Sequence, residues 1–175
     1  AYTLKALNEL WELNYSSNKL ETLGAQLGAD VPFFIRGGFQ LAEGVGEKLT
    51  PQDNKILHGL HFLLIIPPVR ISTPDAYRSL NKPLRPVENH SKFAPVSEPV
   101  NWQLFDNDFE KVFRKTYPEI GDIKENLQGA GALYAGLSGS GSTVFGVFDN
   151  LKTAELTRED FSRYQTFLTS PVFHS

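Results

Sequence analysis

A glycine–serine loop between two short apolar runs constrains the fold of this chain most strongly. The loop Ser138-Gly139-Ser140-Gly141-Ser142 follows the apolar residues 133–137 and precedes the apolar residues 143–148. Short apolar runs bounded by glycine and serine are typical of β-strands. The sequence therefore predicts a strand, a glycine loop and a second strand over residues 133–148.

The order of the other elements after residue 55 sets the fold class. A strand is predicted over residues 61–66, an apolar run that two prolines end. Helices are predicted from Thr73, over 106–117, from 118 to about 127 and over 157–164, and a last strand over 165–172. Residues 81–100 contain four prolines and are predicted to form a surface loop. This order predicts an α+β fold, with a mostly antiparallel sheet and helices on one face.

The first 55 residues are predicted to contain two helices and a hairpin. Apolar spacing indicates one helix through about Asn14 and a second from Asn18 to Gly28. Val31 precedes a proline, which favours an extended backbone. Residues 33–35 are therefore predicted to form a short strand that pairs with residues 39–42. This places Asp30 at a helix-to-strand corner.

Composition excludes several classes of function. The chain has 175 residues, a formal net charge of −3 and no cysteine. Proteins that bind nucleic-acid backbones are usually basic, so we expect no nucleic-acid partner. The absence of cysteine excludes disulfides, thiolate metal sites and a cysteine nucleophile. The apolar runs are too short to span a membrane, so no membrane partner is expected either.

Asp30 is the first candidate functional residue. It precedes the apolar segment Val31-Pro32-Phe33-Phe34, whose proline restricts the backbone. This segment would hold the Asp30 carboxylate beside a dry surface, that is, an apolar surface that excludes water. Burial raises the pKa of a carboxyl group and nearby cations lower it, so such a group can be adjusted to act as a base. The alternative is a turn aspartate that bonds to its own backbone. Spacing does not decide between the two.

Two further segments are candidates for binding. In residues 138–142, which we call the 138–142 loop, alternating glycines and successive N–H groups could form an anion-binding concavity; the alternative is a flexible hairpin loop. Thr73 and Tyr77 lie at a predicted helix start, where backbone N–H groups and an aromatic ring could face a ligand. The alternative there is a threonine cap and a packed tyrosine. His58 and His61 have no third ligand at a suitable spacing and indicate surface histidines, so no metal site is predicted.

Taken together and in this order, these segments resemble the 4-diphosphocytidyl-2-C-methyl-D-erythritol kinases, a family of GHMP-type small-molecule kinases of the non-mevalonate isoprenoid pathway. The segments that carry the resemblance are residues 27–34, Gly37-Gly38, Gly44-Val45-Gly46-Glu47, Ile66-Pro67, Ser72-Thr73, Tyr77, residues 107–110, Gly131-Ala132 and residues 137–146.

The resemblance implies a fold and a reaction. Residues 1–55 would be the end of the family's N-terminal domain, and residues 56–175 its ferredoxin-like C-terminal domain. The reaction would be ATP-dependent phosphorylation of the 2-hydroxyl of the cytidylyl-linked methylerythritol, with Mg²⁺, in the bacterial cytoplasm or, as the second choice, the plastid stroma. The resemblance also assigns residues. Asp30 would be the catalytic base or would orient the substrate hydroxyl. Thr73 and Tyr77 would bind the substrate, with the Tyr77 ring on cytosine, and the 138–142 loop would support the transferring phosphoryl group and the ATP-binding loop.

The family's catalytic lysine and its glycine/serine-rich ATP loop have no counterpart in this sequence. The sequence also starts, at Ala1, within a predicted helix that has no capping residue before it. We therefore expect a piece of a longer kinase that does not turn over by itself. Two alternatives stay open: another GHMP kinase, acting on mevalonate, homoserine or galactose, and a non-catalytic ferredoxin-like binding module. The acidic charge and the absence of an aromatic and basic stripe along one strand disfavour the second. The sequence predicts no particular oligomeric state.

Overall fold

A computed structural model describes residues 1–80 and 99–172 of the chain. These residues fall into two compact units. Residues 1–56 make up most of the first unit, and residues 57–80 and 99–171 make up the second. The loop predicted over residues 81–100 lies, except for its last two residues, outside the described residues.

The first unit contains three helices and one hairpin. The helices are α1 (Tyr2–Leu10), α2 (Ser17–Ala25) and α3 (Val31–Arg36). The strands β1 (Gln40–Glu43) and β2 (Lys48–Pro51) pair with each other in antiparallel register. The first two helices thus exist as predicted but end earlier. Helix α1 ends at Leu10, because the backbone turns to positive φ at Glu12 and Asn14. Helix α2 ends at Ala25, before Gly28.

The strand predicted over residues 33–35 is wrong, because these residues lie in helix α3. Val31 is helical although a proline follows it, and Pro32 lies in the first helical turn, where its fixed φ and missing N–H are tolerated. Packing against α2 favours the helix. A Cβ atom on Gly24 would lie 2.8 Å from Val31 Cγ1 and 2.9 Å from Ile35 Cδ1, so the two helices approach closely there.

The second unit is a four-stranded antiparallel sheet with helices. Its strands are β3 (His61–Ile66), β4 (Tyr134–Leu137), β5 (Val144–Phe148) and β6 (Gln165–Thr169), in the spatial order β4-β5-β3-β6. Its α-helices are α4 (Thr73–Ser79), α5 (Asp108–Thr116), α6 (Pro118–Gly129) and α7 (Leu151–Asp160). Helices connect β3 to β4 and β5 to β6, which gives the ferredoxin-like arrangement. The predicted α+β class and antiparallel sheet are confirmed.

The core of the second unit lies between the sheet and its helices. Leu63 and Ile65 on β3 are fully buried, as alternation along a strand requires. Ile123 and Leu127 on α6 are buried in the same cluster. A Cβ atom on Gly146 of β5 would lie 3.0 Å from Leu127 Cδ2, so glycine allows α6 to approach the sheet.

The start of α7 and the cap of α4 differ from the prediction. Helix α7 begins at Leu151 rather than Thr157, because the Asn150 side chain accepts a hydrogen bond from the Thr153 amide at 3.0 Å. Thr157 is instead buried inside the helix, where its hydroxyl donates to the Thr153 carbonyl. In α4, Ser72 rather than Thr73 precedes the first helical residue. Within the described residues, no helix combines the length and the apolar character that crossing a membrane would need.

Candidate active site

Asp30 lies in the first unit, in the short turn between α2 and α3. Its side chain is exposed and does not cap α3, so the expected dry surface is not found among the described residues. The turn between β1 and β2 lies beside it. A Cβ atom on Gly46, whose φ is +108°, would lie 3.7 Å from Asp30 Oδ1. The structure therefore presents Asp30 as an exposed carboxylate next to a glycine turn.

Glu47 in the same turn has a different role from that of Asp30. Its carboxylate accepts a hydrogen bond from the Val45 amide at 2.7 Å. Hydrogen bonds from its own amide and from the Val45 amide hold the pKa of Glu47 below its ordinary value. The Glu47 carboxylate thus stabilises the turn.

The 138–142 loop lies in the second unit and has a defined internal geometry. The Ser138 amide donates to the Thr143 carbonyl at 2.8 Å, and the Gly141 amide donates to the Ser138 carbonyl at 2.9 Å. Gly139 and Gly141 have positive φ angles of 55° and 86°, which glycine adopts without strain. A Cβ atom on Gly141 would lie 3.0 Å from Ile71 Cδ1, so the backbone also packs closely here.

Three amides of the loop remain available. Within residues 1–80 and 99–172, the amides of Gly139, Ser140 and Ser142 donate no hydrogen bond to a protein acceptor, and the first two are successive. Successive unpaired amides can bind an anion.

Thr73 and Tyr77 both lie on α4, and the structure brings Thr73 to the loop. The hydroxyl oxygens of Thr73 and Ser140 are 2.9 Å apart. The ring of Tyr77 meets the ring of Phe109 edge to face, with the centroids 5.2 Å apart. Tyr77 is nevertheless 54% exposed, so its ring is available to a ligand as well.

Asn107 and Glu110 hold the loop in ways that the sequence interpretation missed. Asn107 lies just before α5 and caps it by accepting a hydrogen bond from the Phe109 amide at 3.0 Å. Its Nδ2 also donates to the carbonyls of Leu137 and Gly139, at 3.0 and 2.9 Å. The available signal was the residue type, because an asparagine cap keeps two N–H donors, whereas an aspartate cap has no donor and a serine cap has one.

A cavity of about 340 Å³ lies in the second unit beside these residues. Its charged lining is paired internally, by Lys111 with Asp106, Arg114 with Glu125, and Lys124 with Glu110. Nearby, burial and then the charges of Glu110 and Asp106 raise the pKa of Tyr134 to about 12.

In the described part of the chain, no cluster of histidine and carboxylate side chains has the composition of a metal site. His61 Nδ1 lies 3.0 Å from Ser170 Oγ.

Comparisons with known proteins complete the description of the site. The family described as "GHMP kinases C terminal" matches residues 91–165. A curated relative from Bacteroides fragilis is 41% identical over 172 residues, which cover 97% of this chain and 60% of the relative. One from Chlorobium phaeobacteroides is 37% identical over 181 residues, 99% of this chain and 61% of the relative. Both are named 4-diphosphocytidyl-2-C-methyl-D-erythritol kinase. The chain thus spans about three fifths of the length of these relatives.

Two crystal structures share the fold. A 4-(cytidine 5'-diphospho)-2C-methyl-D-erythritol kinase aligns with a TM-score of 0.70 and 26% identity, over 93% of this chain and 59% of that chain. A homoserine kinase from Cytophaga hutchinsonii aligns with a TM-score of 0.69 and 18% identity, over 95% of this chain and 61% of that chain. The second likeness concerns the fold alone.

Proposed function

Since the chain belongs to the family of 4-diphosphocytidyl-2-C-methyl-D-erythritol kinases, we propose that its protein transfers the γ-phosphoryl group of ATP to the 2-hydroxyl of 4-diphosphocytidyl-2-C-methyl-D-erythritol. The observation that carries the proposal is the identity of 41% with a curated kinase of that name over 97% of this chain. A homoserine kinase shares the fold at 18% identity, which supports a common scaffold and not that substrate.

Asp30 is the proposed base. The new bond forms between the substrate's 2-oxygen and the γ-phosphorus, while the bond from that phosphorus to the bridging oxygen of ADP breaks. The hydroxyl proton passes to the Asp30 carboxylate. The exposure of Asp30 supports this role, because a substrate hydroxyl can reach a carboxylate that caps no helix.

The 138–142 loop and α4 are the proposed binding elements of the second unit. Unpaired amides at Gly139 and Ser140 suit the negative charge of a phosphoryl group. Ser138, Gly141 and Ser142 complete the loop, and the Thr73 hydroxyl meets Ser140. The half-exposed ring of Tyr77 suits a planar base such as cytosine.

ATP and Mg²⁺ are the proposed co-substrate and cofactor. The described residues offer no carboxylate and histidine cluster for a metal, so no step is assigned to one here. When bound with ATP, magnesium would neutralise charge on the phosphates. The relatives reported above are bacterial, which supports a bacterial cytoplasm as the location.

A coupled assay of ADP release tests the proposal. Protein expressed from the complete reading frame should turn over with ATP, magnesium and the cytidylyl substrate, and CDP should compete. Residues 1–175 alone should release no ADP, because phosphoryl transfer needs a cradle for the ATP phosphates and the family's glycine-rich ATP loop is not in this sequence. Turnover of homoserine or mevalonate instead, without competition by CDP, would assign a different GHMP kinase.

A further inference from the structure

The 138–142 loop starts at the edge of the sheet. Strand β4 is an edge strand that pairs with β5. Leu137, its last residue, stands opposite Val144. The amide and carbonyl of Leu137 bond to side chains of α5 rather than to a further strand: the amide donates to Glu110 Oε1 at 2.9 Å, and the carbonyl accepts from Asn107 Nδ2 at 3.0 Å. The start of α5, with its cap Asn107, thus supplies the hydrogen-bond partners that a neighbouring strand would supply to Leu137.

Asn107 reaches from that edge into the loop. A side-chain amide has two N–H donors. One of them binds the Leu137 carbonyl and the other binds the Gly139 carbonyl at 2.9 Å. The Oδ1 atom is occupied at the same time by the Phe109 amide at the start of α5. Both ends of the Asn107 amide are therefore used, which fixes the orientation of the side chain.

Holding the Gly139 carbonyl also orients the next amide. A trans peptide unit is planar, and its N–H points opposite to its C=O. The carbonyl of Gly139 and the amide of Ser140 belong to one such unit. When Asn107 draws the Gly139 carbonyl toward α5, the Ser140 N–H points away from α5. Within the described residues that amide has no protein acceptor.

Glu110 and Lys124 support the same edge. The Glu110 side chain is 17% exposed and forms an ion pair with Lys124 of α6, whose side chain is 28% exposed. Its second oxygen, Oε1, is the acceptor for the Leu137 amide. The Lys124 charge thus holds Glu110 in the position from which it fixes the last residue of β4.

We propose that Asn107 is a positioning residue that aims the Ser140 amide at the transferred phosphoryl group, with Glu110 and Lys124 securing the strand from which the loop starts. This proposal rests on the function proposed above for the 138–142 loop. It assigns Asn107 a role distinct from helix capping, although the same side chain performs both.

Asn107→Asp separates the two roles. Aspartate caps a helix as well as asparagine does, so α5 keeps its first turn. A carboxylate cannot donate, however, and it would face the carbonyls of Leu137 and Gly139. Asn150→Asp is the matched control, because Asn150 caps α7 through the Thr153 amide. Asn107→Ser keeps the cap and removes both amide N–H donors without adding charge, and the one hydroxyl proton that it introduces cannot bind the Leu137 and Gly139 carbonyls together.

Two measurements decide the proposal. In protein from the complete reading frame, Asn107→Asp and Asn107→Ser should lower kcat about 10- to 100-fold, the loss expected from two hydrogen bonds, with little change in KM for the cytidylyl substrate. In the 175-residue chain, the NMR order parameter of the Ser140 amide should fall from about 0.85 toward 0.6. Asn150→Asp should change neither quantity.

The outcomes distinguish this proposal from the proposed function. If the wild-type protein phosphorylates no cytidylyl substrate, the proposed function is wrong, whatever the Ser140 amide does. If the wild type is active and both Asn107 variants keep its kcat and the Ser140 order parameter, Asn107 is a helix cap alone and the positioning role is overturned. Equal losses in Asn107→Asp and Asn150→Asp would also overturn it, because they would reflect helix stability.

Discussion

The two units of the molecule differ most in how much apolar surface each buries. In the first unit, the buried apolar side chains among the described residues are Leu20, Pro32 and Ile35. Large apolar side chains exposed there are Tyr2, Leu10, Trp11, Leu13, Tyr15, Leu27, Phe34 and Val45. The second unit has one continuous core of Leu63, Ile65, Ala76, Phe109, Phe113, Ile120, Ile123, Leu127, Ala135, Leu137, Val144, Phe148, Ala154 and Phe161. Since apolar burial is the main favourable contribution to folding, the second unit has the larger stability of its own.

The two units also hold their candidate residues by different means. In the first, Asp30 precedes α3, which packs on α2 at Gly24 and is tied by Arg36 to Glu21 and to the Leu49 carbonyl. The Glu21 hydrogen bond raises the pKa of Arg36 above its already high ordinary value. In the second, the 138–142 loop connects two strands of a packed sheet. The position of the proposed base therefore depends on a few specific contacts, whereas the strands that flank the proposed anion loop belong to a large core.

The largest expected effect tests whether the thinly packed unit supplies the chemistry. Asp30→Asn in protein from the complete reading frame should lower kcat by about 10²–10⁴-fold, because the amide keeps the shape and loses the base. KM should change far less, and the melting temperature should stay near that of the wild type because Asp30 is exposed. Steady-state kinetics with the cytidylyl substrate provide the measurement. A rise in KM alone would assign Asp30 to ground-state binding instead.

The next effect measures the difference in core directly. Leu63→Ala should lower the unfolding free energy of the second unit by about 2–5 kcal/mol, because it leaves a cavity in a fully buried site. Leu20→Ala, in the unit with few buried apolar side chains, should cost about 2 kcal/mol or less and should affect the first unit. Residue-resolved hydrogen exchange in urea separates the two units. Equal losses, spread over both units, would show that the chain unfolds as one cooperative body.

The sequence predicted the second unit better than the first, and the core explains why. Residues 61–66 form a strand with the predicted bounds, because a continuous apolar run in a buried central strand leaves little alternative. The prediction of an extended Val31 and of a strand over residues 33–35 is wrong, because both lie in α3. The local preference of Val31 before Pro32 was overridden by a tertiary contact with Gly24, and such contacts are not visible in local patterns.

The candidate site shows the same limit. The glycine pattern of residues 138–142 indicated a loop between strands, and the loop is there. The pattern could not reveal that Asn107 Nδ2 donates a hydrogen bond to the Gly139 carbonyl, because the two residues are 32 positions apart in the sequence. The exposure of Asp30 was missed for a related reason, because it follows from the helix that replaced the predicted strand.

A smaller effect tests whether the ring of Tyr77, in the second unit, binds the substrate as proposed. Tyr77→Ala should raise KM for the cytidylyl substrate about 5- to 150-fold, the range for losing a stacked base worth roughly 1–3 kcal/mol. Tyr77→Phe should cost little, because the ring face and not the hydroxyl would bind. Steady-state kinetics give KM, and a thermal scan gives the melting temperature. If Tyr77→Ala leaves KM unchanged and lowers the melting temperature, the ring supports Phe109 rather than the substrate.

The smallest expected effect is a pH dependence confined to the second unit. The Tyr134 hydroxyl donates to the Phe105 carbonyl at 2.8 Å, and burial, Glu110 and Asp106 raise its pKa from 10 to about 12. The folded state therefore holds this proton more tightly than the unfolded state does. The resulting stability is fully present below about pH 10 and is lost as the pH rises through about 12.

Urea unfolding of the wild type and of Tyr134→Phe between pH 8 and about 11.5 measures this contribution. The variant should be less stable by about 1 kcal/mol at pH 8, because it loses one hydrogen bond, and the difference should shrink as the pH rises. Tyr164, whose pKa burial and Glu119 also raise, is present in both proteins, so its effect cancels in the difference. A difference that stays constant to the highest pH would show that Tyr134 stabilises the second unit by packing and hydrogen bonding alone.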